Sequence, residues 1–300
     1  MLFINKILVK FISALPEGIV HIFAKKYVAG ETLSDAVNVV KELNAKGIVA
    51  TMDVLGEAIS SKEEAEETQK ECFEMLDSIQ KNNLDANLSI KPTSLGLSID
   101  TEFAYKLIRE IVEYANNRNN FVRIDMEDSP YTDSTIELYK KIKEEFPNNV
   151  GIVVQAYLRR TYDDVAQLNK MGGHYRLCKG IYIEPKEIAY KGKQEVRDNY
   201  MKVLERMFDD GNYVGIATHD KWLVNEAYAM IEDKKVAKDK YEFQMLYGVT
   251  ERLRDKINED GHKIRVYVPF GKKWYAYSMR RLQENPNMAF TIATSIFKFN

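Results

Sequence analysis

The chain has 300 residues, 45% of them hydrophobic, enough to bury about three quarters of the unfolded surface around one core. Its 43 basic and 45 acidic residues are mixed along the sequence and leave a formal net charge of -2, which excludes the basic footprint of a nucleic-acid-binding protein. Two cysteines, Cys72 and Cys178, fit no zinc or redox spacing and read as buried thiols of a reducing compartment.

The N-terminal segment 1–46 reads as helical. Ile4, Ile7, Leu8, Phe11, Ile12 and Leu15 form one apolar stripe, with Lys6 and Lys10 on other faces. Pro16 ends this helix, and a second follows through Ile19, Ile22, Phe23 and Tyr27. The stripe either packs on the rest of the fold or lies on a membrane surface. Neither a transmembrane stretch nor a small-residue cleavage site is evident, so the expected location is cytoplasmic, with a peripheral position at the inner face of the membrane as the variant.

From Gly47 onward, short β-branched runs alternate with amphipathic stretches. The runs lie near 47–55, 86–91, 121–126, 150–157, 174–180, 213–219, 241–246 and 264–270. Helical patterns separate them, among them SKEEAEETQKECFEMLDSIQ, TEFAYKLIREIVEYAN, DSTIELYKKIKEEF, TYDDVAQLNK, KQEVRDNYMKVLERMF and KWLVNEAYAMI. Eight strand-then-helix repeats predict an α/β fold, a (β/α)8 barrel over 47–300. The competing doubly wound sheet lacks its G-x-G-x-x-G fingerprint.

A barrel builds its active site at the C-terminal ends of the strands, and polar residues stand at each such end. They are Asp53 and Glu57, Lys91, Asp125, Gln155, Arg176 and Lys179, Thr218 and His219, Gln244, and Tyr267. In the helix after the eighth strand, Tyr277, Arg280, Arg281 and Glu284 share one face at i, i+3, i+4, i+7. Adjacent guanidiniums offer bidentate recognition of a small organic acid; the plainer alternative is a solvated face with an intrahelical ion pair. No H-E-x-x-H, phosphate loop, nucleophile elbow or cysteine pair is present, and four dispersed histidines do not make a metal cluster, so no metal is expected. The mouth suggests that a bound cofactor supplies the chemistry. A lysine-dependent lyase using Lys91 or Lys179 as a Schiff base, and a noncatalytic amino-acid-binding module, are the alternatives.

MDVLGEA near 52–58, RLCKGIY, IATHD, YEFQMLYG, and above all YVPFG followed by YSMRRLQEN, make the chain resemble the monofunctional bacterial proline dehydrogenase family over essentially its whole length. The resemblance implies a barrel with its last helix above the strands and noncovalent FAD at their C-terminal ends. It implies oxidation of L-proline to Δ1-pyrroline-5-carboxylate by hydride transfer to the flavin. Arg280 and Arg281 match the pair that grips the proline carboxylate, and Lys91 matches the lysine assisting them. Tyr267, Tyr277 and Leu246 match the walls around the ring, and Asp125 and Tyr182 match polar partners that brace the pocket. Glu57 matches a carboxylate that pairs with an arginine at the entry, and Glu284 is expected to brace the arginines from within their helix. On the cofactor side Arg176 matches the residue near the reactive flavin nitrogen, with Gln155, Lys179, Thr218 and His219 as further contacts. Relatives that prefer hydroxyproline carry a small hydroxyl residue at the Tyr267 position. The family usually has a small residue where this chain has Ile181. A membrane quinone is the electron acceptor that the resemblance implies. The DNA-binding and aldehyde dehydrogenase regions of bifunctional relatives have no counterpart here, so a separate pyrroline-5-carboxylate dehydrogenase is expected to take the product.

Overall fold

The computed structural model describes residues 24–56, 59–275 and 277–279. Eight parallel strands close into a barrel in sequence order: β1 Val49–Val54, β2 Ala86–Ile90, β3 Val122–Ile124, β4 Val150–Gln155, β5 His174–Cys178, β6 Tyr213–Ala217, β7 Tyr241–Leu246 and β8 Ile264–Phe270. Closure is made by β1 on β8, in register from Val49–Arg265 to Val54–Phe270. Each of the eight expected strands is present.

Helix α1 Leu33–Asn44 precedes β1. Between successive strands run α2 Lys62–Lys81, α3 Thr101–Asn116, α4 Thr132–Glu145, α5 Thr161–Leu168, α6 Lys193–Asp209, α7 Lys221–Asp233 and α8 Glu251–Glu259. Their starts are specified locally. Thr32 and Asp35 close a reciprocal capping box on α1, and the side chains of Ser61, Asp100 and Asp220 cap α2, α3 and α7. The first of the expected N-terminal helices, and most of the second, lie outside the described residues; residues 24–27 are helical. No helix among the described residues is long and apolar enough to cross a membrane.

The period-2 alternation of the strands divides the molecule into an apolar shell and a polar lumen. Met52, Leu88, Ile124, Ile152, Leu177, Ile216, Phe243 and Val266 form the buried core with helix residues such as Leu76, Ile108, Ile142 and Leu204. The alternate positions are polar. Thr51 bonds Asn87 at 2.5 Å, Arg123 donates to the His174 carbonyl at 2.6 Å, and Arg265 pairs with Glu242 at 2.6 Å. A methyl group on Gly215 would overlap the Gln244 amide, and one on Gly151 the Arg123 guanidinium. These two glycines therefore give long side chains room to cross the lumen. The polar filling plugs the N-terminal part of the barrel and leaves the C-terminal mouth open.

Candidate active site

A cavity of about 660 Å³ opens at the C-terminal ends of the strands, a size suited to a small-molecule site. Lys91, Asp125, Gln155, Arg176, Lys179, Tyr182, Thr218, His219, Leu246, Tyr267 and Tyr277 all line it. The fold thus brings together residues spread over β2 to the segment after β8. Glu57, Arg280, Arg281 and Glu284 lie outside the described residues. β2, β3 and β6 end at Ile90, Ile124 and Ala217, so Lys91, Asp125, Thr218 and His219 sit one or two positions beyond the strands rather than on them.

On the side of the mouth formed by β8, β1 and β2, one carboxylate organises two cavity residues. Asp53 Oδ2 accepts from Lys91 Nζ at 2.6 Å and from the Tyr267 hydroxyl at 2.5 Å, and Lys91 Nζ lies 3.4 Å from that hydroxyl. Burial disfavours the Lys91 ammonium, but attraction by Asp53, with Asp125 and Glu127 behind it, outweighs burial and lifts its pKa above the ordinary lysine value. Burial also pushes the Asp53 carboxyl up, yet two donors converging on one oxygen favour the anion. Burial, then the neighbouring carboxylates, hold the Tyr267 phenol far above its usual range, so it stays neutral. A Schiff-base lysine must be neutral to attack; Lys91 is biased the other way, which disfavours the lyase alternative at this position.

A second network crosses the lumen. Arg176, on β5, donates from Nη1 to Asp125 Oδ1 at 2.7 Å and to Ser89 Oγ at 3.2 Å, and from Nε to Gln244 Oε1 at 2.6 Å. Its guanidinium lies 5.3 Å from the centre of the Tyr267 ring, within cation–π reach. Gln244 passes the chain of bonds to Glu242 at 2.7 Å, which binds Arg265. The orientation of Arg176 is therefore set from three sides before any ligand arrives.

Opposite Asp53, the β5 and β6 side is basic. Lys179, Lys193 and Lys221 line the cavity there, with Thr218 and His219. Asp220 pairs with Lys179 at 2.6 Å and takes two bonds from Arg197 at 2.9 and 2.7 Å. His219 Nε2 accepts from the Leu246 amide at 3.2 Å and Nδ1 lies 2.9 Å from Thr250 Oγ1, so both ring nitrogens have protein partners. Gln155 is buried and donates to the Glu127 carbonyl at 2.8 Å. Ile181 is 42% exposed and also lines the cavity. Cys72 is buried as expected, but Cys178 is only half-buried and borders the cavity, where burial raises its thiol pKa to about 11. Among the described residues no cluster of His, Cys, Asp and Glu could hold a metal ion.

Asp53, Asp220, Arg197 and Glu127 carry much of this geometry; the sequence places Asp53 only in the ring of polar strand ends, and assigns the other three no role. Asp53 does carry a signal: a carboxylate two positions after Thr51 on one strand shares its inward face.

A parallel eight-stranded barrel with a polar cavity at the C-terminal mouth defines a (β/α)8 enzyme. The model of the proline dehydrogenase family matches residues 36–293. The chain is 35% identical over 294 residues to proline dehydrogenase 1 of Bacillus subtilis subsp. natto, covering 98% of this chain and 96% of that protein. It is 34% identical over 274 residues to proline dehydrogenase of Deinococcus radiodurans, covering 90% and 88% of the two chains. Proline utilization A from Bdellovibrio bacteriovorus inactivated by N-propargylglycine superposes with a TM-score of 0.81 at 27% identity, over 87% of this chain; the match spans 32% of the larger protein. The chain belongs to the proline dehydrogenase family. It is an oxidoreductase of proline catabolism.

Proposed function

We propose that this protein oxidises L-proline to Δ1-pyrroline-5-carboxylate with noncovalently bound FAD. One observation carries the reading: a charged lysine and a neutral phenol, bound to one buried carboxylate, face the same cavity as Arg176. Such a surface offers a cation to a carboxylate and an aromatic wall to a small ring.

The residues present suit FAD. Lys193 and Lys221 begin α6 and α7, and Lys179, just past β5, lines the same side of the cavity, a combination of cations and helix N-termini that favours a diphosphate. Arg176, Gln155, Thr218 and His219 add polar groups on the way to the Asp53 side. When bound, FAD would supply the acceptor for the hydride that leaves the ring carbon beside the proline nitrogen.

The chain's own residues do the positioning. Lys91 with Arg280 and Arg281 grips the carboxylate, and Tyr267, Tyr277 and Leu246 wall the ring and exclude water, which fixes the carbon to be oxidised. Glu57 pairs with an arginine at the entry, and Glu284 braces the arginine pair. Asp125 holds Arg176, whose positive charge favours electron gain beside it; Tyr182 contributes a polar edge. A membrane quinone is the acceptor we propose for the electrons, and a separate pyrroline-5-carboxylate dehydrogenase for the product.

Purified protein given proline and a soluble redox dye should release a cyclic imine that o-aminobenzaldehyde traps in step with dye reduction. Dye reduction without the adduct would point to a different oxidation.

A further inference from the structure

We propose that Asp53 is a positioning residue that joins the Lys91 ammonium and the Tyr267 phenol into one rigid unit, so that grip on the substrate carboxylate and fit to the substrate ring are set together. The proposal rests on the substrate-facing roles given above to Lys91 and Tyr267.

The topology makes Asp53 the residue able to do this. β1 lies between β2 and β8, so its inward side chains stand between Lys91, just past the end of β2, and Tyr267, in the middle of β8. Asp53 is 2% exposed, and a single oxygen, Oδ2, receives both the ammonium and the hydroxyl. A flexible four-carbon lysine chain loses most of its rotamer freedom when its end is held in this way. The tyrosine hydroxyl, turned toward Asp53, fixes where the ring stands against the cavity.

Among the described residues, the charged and titratable groups that face Lys91 are Asp53 from β1, the Cys72 thiol from α2, Asp125 and Glu127 from the segment after β3, and Tyr267 from β8. Arg176 already occupies Asp125, and Thr93 donates twice to Glu127. Among the described residues, Asp53 is thus the carboxylate in direct contact with the ammonium.

The test uses cyclopentanecarboxylate, a ring acid with no amine to titrate, together with Asp53→Asn, Lys91→Met and the double variant in the flavin-loaded protein. Asp53→Asn and Lys91→Met should each weaken its binding by about tenfold, and the double variant should be no weaker than the worse single one. Asp53→Asn, unlike Lys91→Met, should also lower the preference for proline over trans-4-hydroxyproline. Losses that multiply in the double variant, or normal binding by Asp53→Asn while Lys91→Met is impaired, would overturn the proposal and leave the substrate site intact. Normal binding by Lys91→Met would instead refute the substrate site, and the proposal with it. The unaltered protein gives a check that needs no variant to fold. Because Asp53 keeps Lys91 charged, affinity for the ring acid should stay level up to about pH 10. A tenfold fall by about pH 9 would overturn the proposal.

Discussion

The guanidinium of Arg176 spans the barrel lumen to lie 2.7 Å from Asp125, with side-chain exposures of 9% and 15%. Removing one partner of such a pair strands the other away from water. Asp125→Asn should therefore destabilise the fold by about 2–3 kcal/mol in denaturant titrations. A change below about 0.5 kcal/mol would mean that Gln244 and Ser89 hold Arg176 without Asp125.

Asp220 links the cofactor side of the mouth to acid stability. Hydrogen bonds from Arg197, and then from Lys179, hold its carboxyl well below the usual carboxylate range despite burial. A depressed pKa in the folded state stabilises above the unfolded value of about 3.9, and that contribution is lost as pH falls below it. Asp220→Asn should then be less stable than the parent at pH 6, with the gap closing as the pH drops below about 4. Urea titrations at both pH values check this; a gap that is constant with pH would show that the ion pairs contribute nothing. The same variant frees Lys179 and should loosen FAD binding, read as flavin retained after gel filtration.

The barrel was legible because its strands are β-branched runs with inward polar positions, and IRVYVPF became β8 unchanged in its limits. Two helices were not delimited, for different reasons. ERLRDKINE, the α8 sequence, carries few apolar residues, and Thr250 before it adopts a left-handed backbone without a side-chain cap, so neither stripe nor start signal stands out. α1 had a readable start in Thr32 and Asp35, overlooked beside the stronger stripe upstream. At the site, residue types revealed the ring of polar ends but not its pairings. Asp53 and Tyr267 are 214 positions apart and meet only because β1 closes on β8, a consequence of topology that no local pattern encodes.

Arg280 and Arg281 carry the proposed carboxylate clamp. Replacing either by Met should remove a charge-assisted interaction of about 1.5–3 kcal/mol and weaken proline affinity on the order of ten- to a hundredfold, with flavin content retained. Normal proline affinity in either variant would remove that arginine from the substrate site.

Tyr267 bears on specificity. Its ring, fixed through Asp53, should crowd the substituent of trans-4-hydroxyproline and take its hydroxyl out of water, at a cost of roughly 1–3 kcal/mol. Proline should be preferred. Tyr267→Ser should narrow the ratio of kcat/KM values for the two substrates, mainly by losing activity on proline as packing against the ring is lost. An unchanged ratio would move Tyr267 away from the substrate ring.

The central claim is that proline gives up electrons to a flavin held in this cavity. Anaerobic addition of L-proline to the purified, FAD-loaded protein tests it most directly. The account predicts loss of the flavin's visible absorbance band. A spectrum that shifts on binding but keeps its intensity would mark an amino-acid-binding module, and a protein that takes up no flavin at all would contradict the account outright.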